Sequence, residues 1–351
     1  MTSTEPAIAP TERPPLRVGL VGYGMAGHDF HAPLIRSVDG LRITHVVTGD
    51  RERAASAVED EPDVQVLPDA QSLWSKAAEL DLVVLASPTG AHAEQATAAL
   101  EAGLPVVVDK PFTVTAADAR AVVELAESRG LLLTVFQNRR WDPEHLTVKT
   151  LLAGGDLGEI VRYEARYERW RPVPKARWRE QSTSAEGGGI LMDLQSHLVD
   201  GALNLFGPVE TVYAELSAWT TVGDDVAFLA LKHTSGVLSH LGTTSLAAAP
   251  GPRTRLLGTR GAYLVAGVDA DPTALSAWAD PDTEHRGWLV RGEDATPVPR
   301  TPGGWRDFYV GVRDALLGAT PPPVAARDAL AVIEVLDAAR LSAQRGDVVR
   351  L

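Results

Sequence analysis

Apolar positions in the first part of the chain fall into two alternating textures. From Leu16 to about Phe136, short continuous apolar runs are separated by longer stretches of helical period, the pattern of a parallel sheet with crossover helices. The runs predict strands over residues 17–21, 41–48, 82–86, 105–109 and 131–136. Residues 25–36, 91–102 and 116–129 place Ala, Leu and Val at helical spacing, and Gly103 and Gly130 read as stops for the last two.

The texture changes after Asn138. A helix is predicted over 144–153, then a loop rich in Arg and Pro over 169–179, then three glycines, Gly187 to Gly189, opening a helix through Phe206. Strand-like runs recur at 160–170, 209–219, 225–232, 237–245, 254–257 and 262–265, with short connections that suggest a mostly antiparallel sheet. A last helical stretch, 326–344, follows 321–324 and is expected to return and pack against the rest. The expectation is an α/β chain of two domains: a doubly wound parallel sheet over 16–137, and an α/β domain with an open, mostly antiparallel sheet over 138–351. Residues 1–15, rich in Thr, Glu and Pro, read as a loose tail.

Composition narrows the function. The 33 Lys and Arg against 46 Asp and Glu give a net charge of -13, which repels phosphate backbones and anionic lipid, so neither nucleic acid nor membrane is an expected partner. No apolar run approaches the roughly 18 residues of a membrane span. The first residues lack the features of a secretory signal, so cytoplasmic residence is expected. With no cysteine, disulfides, thiolate zinc sites and a cysteine nucleophile are excluded, and any redox chemistry must come from a cofactor.

Gly22-x-Gly24-x-x-Gly27 stands directly after a strand pattern and at the start of a helical one, the context that gives this short motif meaning. Gly22 permits a tight turn, Gly24 lets the backbone approach a pyrophosphate, and Gly27 lets the helix sit close on the sheet. The helix start then offers free N–H groups to the phosphates, with Tyr23, Met25 and Ala26 in the same turn. A dinucleotide is the expected ligand, the alternative being a glycine-rich turn that binds nothing. At the end of the second strand, where NAD sites usually place an acidic residue on the ribose, stands Thr48. A neutral hydroxyl followed by Arg51 and Arg53 accommodates a 2′-phosphate, which favours NADP over NAD. A strand ending two residues later would put Asp50 at the ribose, so NAD stays open.

Two constellations carry candidate chemistry. Lys110 follows the strand 105–109 and precedes Pro111, which places it at a strand's carboxyl end, where ligands bind in open α/β sheets. On spacing alone it reads equally as a solvated lysine. Asp193 and His197, four apart on the helix after the glycines, are expected to be neighbours on one face. There the carboxylate would orient the imidazole and raise its basicity, suiting His197 to take a hydroxyl proton. Alone, such a pair reads as a surface hydrogen bond. No metal is expected, because His28, His31, His92 and His197 match no zinc spacing, and no Gly-x-Ser-x-Gly elbow supports a serine triad.

Together these residues resemble the Gfo/Idh/MocA family of oxidoreductases, over nearly the whole chain. Val21 to Ile35 looks like the family's opening, Asp109-Lys110-Pro111 like its Glu-Lys-Pro motif, and Asp193-x-x-x-His197 like its catalytic helix. Phe136 to Asp142 and Arg171 to Arg179 are similar to a subgroup that includes NADP-dependent scyllo-inositol dehydrogenases. The resemblance implies a Rossmann domain joined to an α/β domain, assembled into a homodimer or homotetramer through the second sheet. It implies hydride transfer between a nicotinamide and the CH–OH group of a sugar or cyclitol. By the same resemblance, His197 is the general base, Lys110 holds the reacting oxygen, and Asp193 positions both. Ser87, Pro88, Thr89 and His92 match positions lining the cofactor ribose. Asn138, Arg139, Trp178 and Arg179 fall where the subgroup approaches nicotinamide or substrate. Asp109, also expected at the cofactor, stands in place of the family's glutamate. It reaches roughly 1.5 Å less far, so a contact of that glutamate is expected to be lost or bridged by water. The rival from another class is a non-catalytic dinucleotide sensor of the same fold; a third reading is reduction of a carbonyl on a substrate that is not a sugar.

Overall fold

The computed structural model describes residues 13–175, 178–265 and 285–351. Residues 1–12 of the expected tail, and Ala176 and Arg177 of the Arg- and Pro-rich loop, lie outside the described residues.

The first half builds one parallel sheet from β1 (Leu16–Val21), β2 (Leu41–Val47), β3 (Gln65–Leu67), β4 (Leu82–Leu85), β5 (Val106–Val108) and β6 (Leu133–Val135). Their spatial order is β3-β2-β1-β4-β5-β6, with every pair parallel. The sheet is covered on both sides, which is why β4 and β5 are uninterrupted apolar runs that are wholly buried. Strand order reverses between β1 and β4, and a crevice opens there at the carboxyl ends.

The helices of this half are α1 (Ala32–Arg36), α2 (Arg51–Asp60), α3 (Ala70–Trp74), α4 (His92–Glu101) and α5 (Ala116–Arg129). The periodicity over 116–129 predicts α5 residue for residue; Thr115 accepts from the Asp118 N–H at its start, and Gly130 closes it in the left-handed conformation. The expected helix over 25–36 opens instead as a π-helical turn, Ala26–His31, before continuing as α1. Three elements of this half were not predicted. α2 buries only Ala57 and so has no apolar stripe, and β3 and α3 are three and five residues long.

The second half contributes α6 (Pro143–Gly154), β7 (Ile160–Glu168), α7 (Trp178–Gln181) and α8 (Ser196–Phe206). It continues through β8 (Val209–Ser217), β9 (Val226–His233), β10 (Leu238–Thr244), β11 (Thr254–Gly258), β12 (Gly261–Val265), β13 (His285–Arg291) and β14 (Asp294–Pro299). The chain ends with α9 (Arg306–Leu316), α10 (Ala326–Arg345) and β15 (Val349–Arg350). The nine strands run β14-β13-β12-β11-β7-β10-β9-β8-β15, antiparallel throughout except for the β7–β10 pair. Tyr163, Ala165 and Tyr167 of β7 are buried, Tyr163 packing on Phe206 of α8 at 5.3 Å between ring centroids. The alternate residues of β7 form a charged lattice in which Glu164 accepts from Arg166 and Arg255, both at 2.9 Å.

The last two helices return to the first half. Asp337 of α10 accepts from the Ala116 N–H at 2.7 Å, capping the start of α5, and Arg340 donates to the Val114 carbonyl at 2.9 Å. Phe308 and Tyr309 of α9 pack on Phe136, just beyond β6.

The triple glycine serves packing within the protein. A Cβ on Gly188 would fall 2.2 Å from the Ser182 carbonyl oxygen, and one on Gly189, where φ is +88°, 2.3 Å from Asp224 Oδ1. Asp224 in turn accepts from the Leu191 N–H at 2.6 Å, anchoring the helix that carries Asp193 and His197. Gly189→Ala adds a clash to a backbone that disfavours any side chain, and should cost about 1–3 kcal/mol of stability in denaturant unfolding. Unchanged unfolding would show that Asp224 does not hold the helix start.

Candidate active site

The glycine-rich turn has the geometry that a dinucleotide needs. A Cβ on Gly22, where φ is +94°, would meet the Ala86 carbonyl oxygen at 2.7 Å, and one on Gly27 would meet the Gly22 carbonyl oxygen at 2.0 Å. At Gly24 the nearest atom is Arg53 Nη1, at 3.5 Å, so the backbone stays open under a guanidinium. The turn, with Tyr23, Met25 and Ala26, forms one wall of a crevice of about 790 Å³. Thr48 and Arg53 lie at one end, Ser87 and Pro88 on the β4 side, and Asp109, Trp178 and Arg179 at the other end. Asp69 and Gln95 also line it, neither singled out by the sequence; Ser87 donates to Gln95 at 2.6 Å.

Of the residues expected at the cofactor, Gly27, Lys110 and Asn138 do not line this crevice, and neither do Arg51, Thr89 and His92. Arg51 is the exposed first residue of α2. Thr89 is buried against Gly187. His92 is wholly enclosed, its Nδ1 3.0 Å from the Pro111 carbonyl and its Nε2 2.8 Å from that of Ser87, so it ties the loop after β4 to the loop after β5. Asp50 caps α2, its Oδ1 accepting from the Glu52 and Arg53 N–H groups at 2.9 and 3.0 Å, while its Oδ2 stands 4.0 Å from Arg53 Nε.

A second cavity, of about 240 Å³, shares Met25, Ala26, Asp109 and Arg179 with the crevice. Lys110, Asp193 and His197 line it together, with Asn138 and Arg139. The sequence did not single out its other walls, Phe30, Lys175 and Trp305. Lys110 reaches across the halves and donates to the Asp193 carbonyl at 2.7 Å and to its carboxylate at 3.1 Å; the Lys110–Pro111 peptide is cis. Arg179 Nε stands 3.2 Å from the same carboxylate. Burial opposes ionisation of Asp193, but the charges of Lys110, Arg179 and Arg169 outweigh it and hold the carboxyl well below its usual range.

This corrects the expected Asp193–His197 pairing. Residues Leu191–Gln195 wind as a π-helix before α8 begins at Ser196, so four-residue spacing no longer sets the two side chains side by side. Asp193 turns to Lys110 and Arg179, while His197 Nδ1 is buried without a hydrogen-bond partner. The basicity of His197 moves down: burial first, then Lys110, Arg139, Arg179 and Arg253, push it well below the ordinary histidine value.

Behind the cavity lies a contact that the sequence did not suggest. His31, weighed above only as a metal ligand, is fully buried, its Nδ1 2.6 Å from the Tyr309 hydroxyl and its Nε2 3.5 Å from Asp109 Oδ1. Tyr309 lies 278 residues away on an unpredicted helix, so no local pattern signals it. Burial disfavours the Asp109 carboxylate, but His31, Lys110 and His92 outweigh it and keep its affinity for protons low. Among the described residues, no group of three or more His, Cys, Asp or Glu is placed to hold a metal ion, and no helix is long and apolar enough to cross a membrane.

Since Lys110 is the largest single charge acting on His197, Lys110→Met should move the imidazole upward toward the usual value of about 6.5. Histidine-selective NMR titration reads this directly. An imidazole titrating near 6.5 in the unsubstituted protein would refute the electrostatic account of the cavity.

Residues 16–137 match the model of the oxidoreductase family with an NAD-binding Rossmann fold, and residues 145–264 that of the GFO/IDH/MocA C-terminal domain. The chain is 37% identical over 338 residues to an uncharacterized oxidoreductase, YdgJ, of Escherichia coli K12, covering 92% of this chain and 94% of YdgJ. It is 32% identical over 349 residues to IolW of Bacillus subtilis, a scyllo-inositol 2-dehydrogenase (NADP(+)), covering 96% of each. The solved structure of the YPO2259 protein of Yersinia pestis superposes with a TM-score of 0.85 at 39% identity, over 96% of this chain and 97% of that one. With both domain models matched in order and two such relatives spanning nearly its whole length, the chain belongs to the GFO/IDH/MocA family of oxidoreductases.

Proposed function

We propose that this protein is a dehydrogenase that uses NADP in preference to NAD and oxidises a secondary alcohol on a polyhydroxylated small molecule, a sugar or cyclitol. The observation that carries the reading is the meeting of Lys110, Asp193 and His197 at one cavity that shares Met25, Ala26, Asp109 and Arg179 with the crevice of the glycine-rich turn. The nicotinamide, when bound, supplies the hydride acceptor.

The remaining chemistry falls to the chain. His197, kept neutral by burial and by nearby cations, has a lone pair free to take the hydroxyl proton. Lys110 offers an ammonium to the oxygen as negative charge develops on it. Asp193 acts through Lys110 and Arg179, holding both in place. His197 would take the hydroxyl proton, and the cofactor, when bound, would accept the hydride from the same carbon, so that the alcohol becomes a carbonyl. Asn138, Arg139 and Lys175 would orient the remaining hydroxyls.

Support for NADP comes from Arg53 over Gly24 and from Thr48 at the crevice end. The name of IolW points the same way, toward NADP and a cyclitol. Residues 16–137 would serve the dinucleotide, and 138–351 the substrate and self-assembly into a dimer or tetramer through the second sheet, in the cytoplasm.

A panel of cyclitols and aldoses, followed by cofactor reduction with NADP and with NAD, tests the reading. Turnover should favour NADP, and Arg53→Ala should weaken NADP by roughly 10- to 100-fold while leaving NAD little changed. His197→Ala should lower turnover by roughly 10² to 10⁴. Tight NADP binding with no turnover of any polyol would favour a non-catalytic sensor instead.

A further inference from the structure

A third cavity, of about 40 Å³, shares His197 and Arg139 with the one that holds Lys110 and Asp193. We infer that it is a proton outlet: as His197 takes the substrate's proton on one ring nitrogen, it gives up a proton from the other, through water in this cavity, to His145, which returns it to solvent. This rests on the reading of His197 as the base of a dehydrogenase. His145, on α6, was not singled out by the sequence and is not among the residues lining the second cavity.

The need for an outlet follows from the surroundings of the base. His197 Nδ1 is buried and has no hydrogen-bond partner within the protein. Burial, and then Lys110, Arg139, Arg179 and Arg253, push the imidazole well below the ordinary histidine range, so the ring holds a second proton poorly. Once Nε2 has taken the hydroxyl proton, the charge is relieved when Nδ1 gives its own away. A neutral imidazole can do both, because one nitrogen carries a proton and the other a lone pair.

The cavity supplies the path. It has room for about three water molecules at roughly 10–15 Å³ each, and its lining offers the polar partners that buried water needs. Each carboxylate in the described lining is bonded to an arginine of the same lining. Asp142 accepts from Arg139 at 3.1 Å, Glu144 from Arg253 at 2.9 Å and Asp200 from Arg140 at 2.7 Å. Beside His197, the other imidazole in that lining is His145.

His145 is set to receive. Its Nε2 donates to Asn204 Oδ1 at 2.8 Å, which leaves the lone pair on Nδ1. Gly201 stands one helical turn beyond His197 on α8, and a Cβ there would come 3.8 Å from His145 Nδ1. At that position α8 carries no side chain to screen one ring from the other. The fields favour the same direction of travel. Burial lowers the basicity of His145 too, but Asn204, Asp200 and Asp142 oppose it, with Lys149 acting the other way, whereas the charges acting on His197 are cations. His145 is also partly exposed, so it can release what it takes.

The protons balance. The hydroxyl proton moves to His197 Nε2, the Nδ1 proton to water, a proton of that water to His145 Nδ1, and one from His145 to solvent. One proton leaves per alcohol oxidised, as hydride transfer to an oxidised nicotinamide requires. Exchange with water after the product departs restores the first tautomer of His197.

The test uses the full chain saturated with NADP. Nitrogen-15 NMR of the histidines should show His197 protonated on Nδ1 and His145 on Nε2; the opposite tautomer of either would overturn the inference. In stopped flow with scyllo-inositol and with glucose, a pH indicator in weak buffer should report proton release in step with NADPH formation. His145→Ala should make release lag behind NADPH and lower kcat by roughly 10- to 100-fold, the low end of what a proton-transfer group contributes. Added imidazole should restore part of the rate, which loss of a merely structural side chain would not allow. Asn204→Leu, which keeps both rings but frees the tautomer of His145, should produce a smaller lag and serves where His145→Ala does not fold. Proton release that stays in step with NADPH in these variants would overturn the outlet and leave the dehydrogenase reading intact. Both tautomers as expected, with no oxidation of either polyol, would count against the dehydrogenase reading and the outlet together.

Discussion

The ammonium of Lys110 donates to the carbonyl and to the carboxylate of Asp193, 83 residues further along the chain, and this pair of bonds joins the parallel sheet to the helix of the second half. Each side of the contact is set by its own local structure. Lys110 leaves the carboxyl end of β5, next to the crevice where strand order reverses. Asp193 sits on a π-helical turn whose start is pinned by Asp224 and made approachable by glycines with no room for a side chain. α10 reinforces the same junction from outside by capping α5 through Asp337. The cavity exists because these restraints agree on one relative placement of the two halves.

Electrostatics then decides what the cavity does. Asp193, its carboxyl held well below the usual range, is shared between Lys110 and Arg179 and holds both cations at the second cavity. Burial first, and then those cations with Arg139 and Arg253, push the His197 imidazole well below the ordinary histidine range. An imidazole paired with a carboxylate would be a stronger base at rest. One that is buried beside cations is a weak base that gains strength as negative charge develops on the reacting oxygen.

Much of this was legible in the residues. The apolar runs and the Gly22 to Gly27 turn locate the parallel sheet and its crevice; α5 follows from its periodicity and Gly130, and α10 from its periodicity. What escaped has physical reasons. α2 buries only Ala57 and so shows no apolar stripe, and β13 and β14 alternate too weakly to stand out. The π-helical turns before α1 and α8 break the 3.6-residue period on which facing side chains are inferred, so Asp193 was matched to the wrong neighbour. The partnership of His31 with Tyr309 spans most of the chain, and Lys110, Arg139, Lys175 and Arg179 reach the cavity from separate segments whose approach no spacing reveals.

The most direct measurement is a crystal structure of the dead-end complex with NADPH and the alcohol substrate. The account predicts Lys110 Nζ and His197 Nε2 within about 2.6–3.2 Å of one and the same substrate oxygen, with its carbon facing the nicotinamide. An alcohol bound with those two nitrogens on different groups, or seated outside the cavity they line, would contradict it.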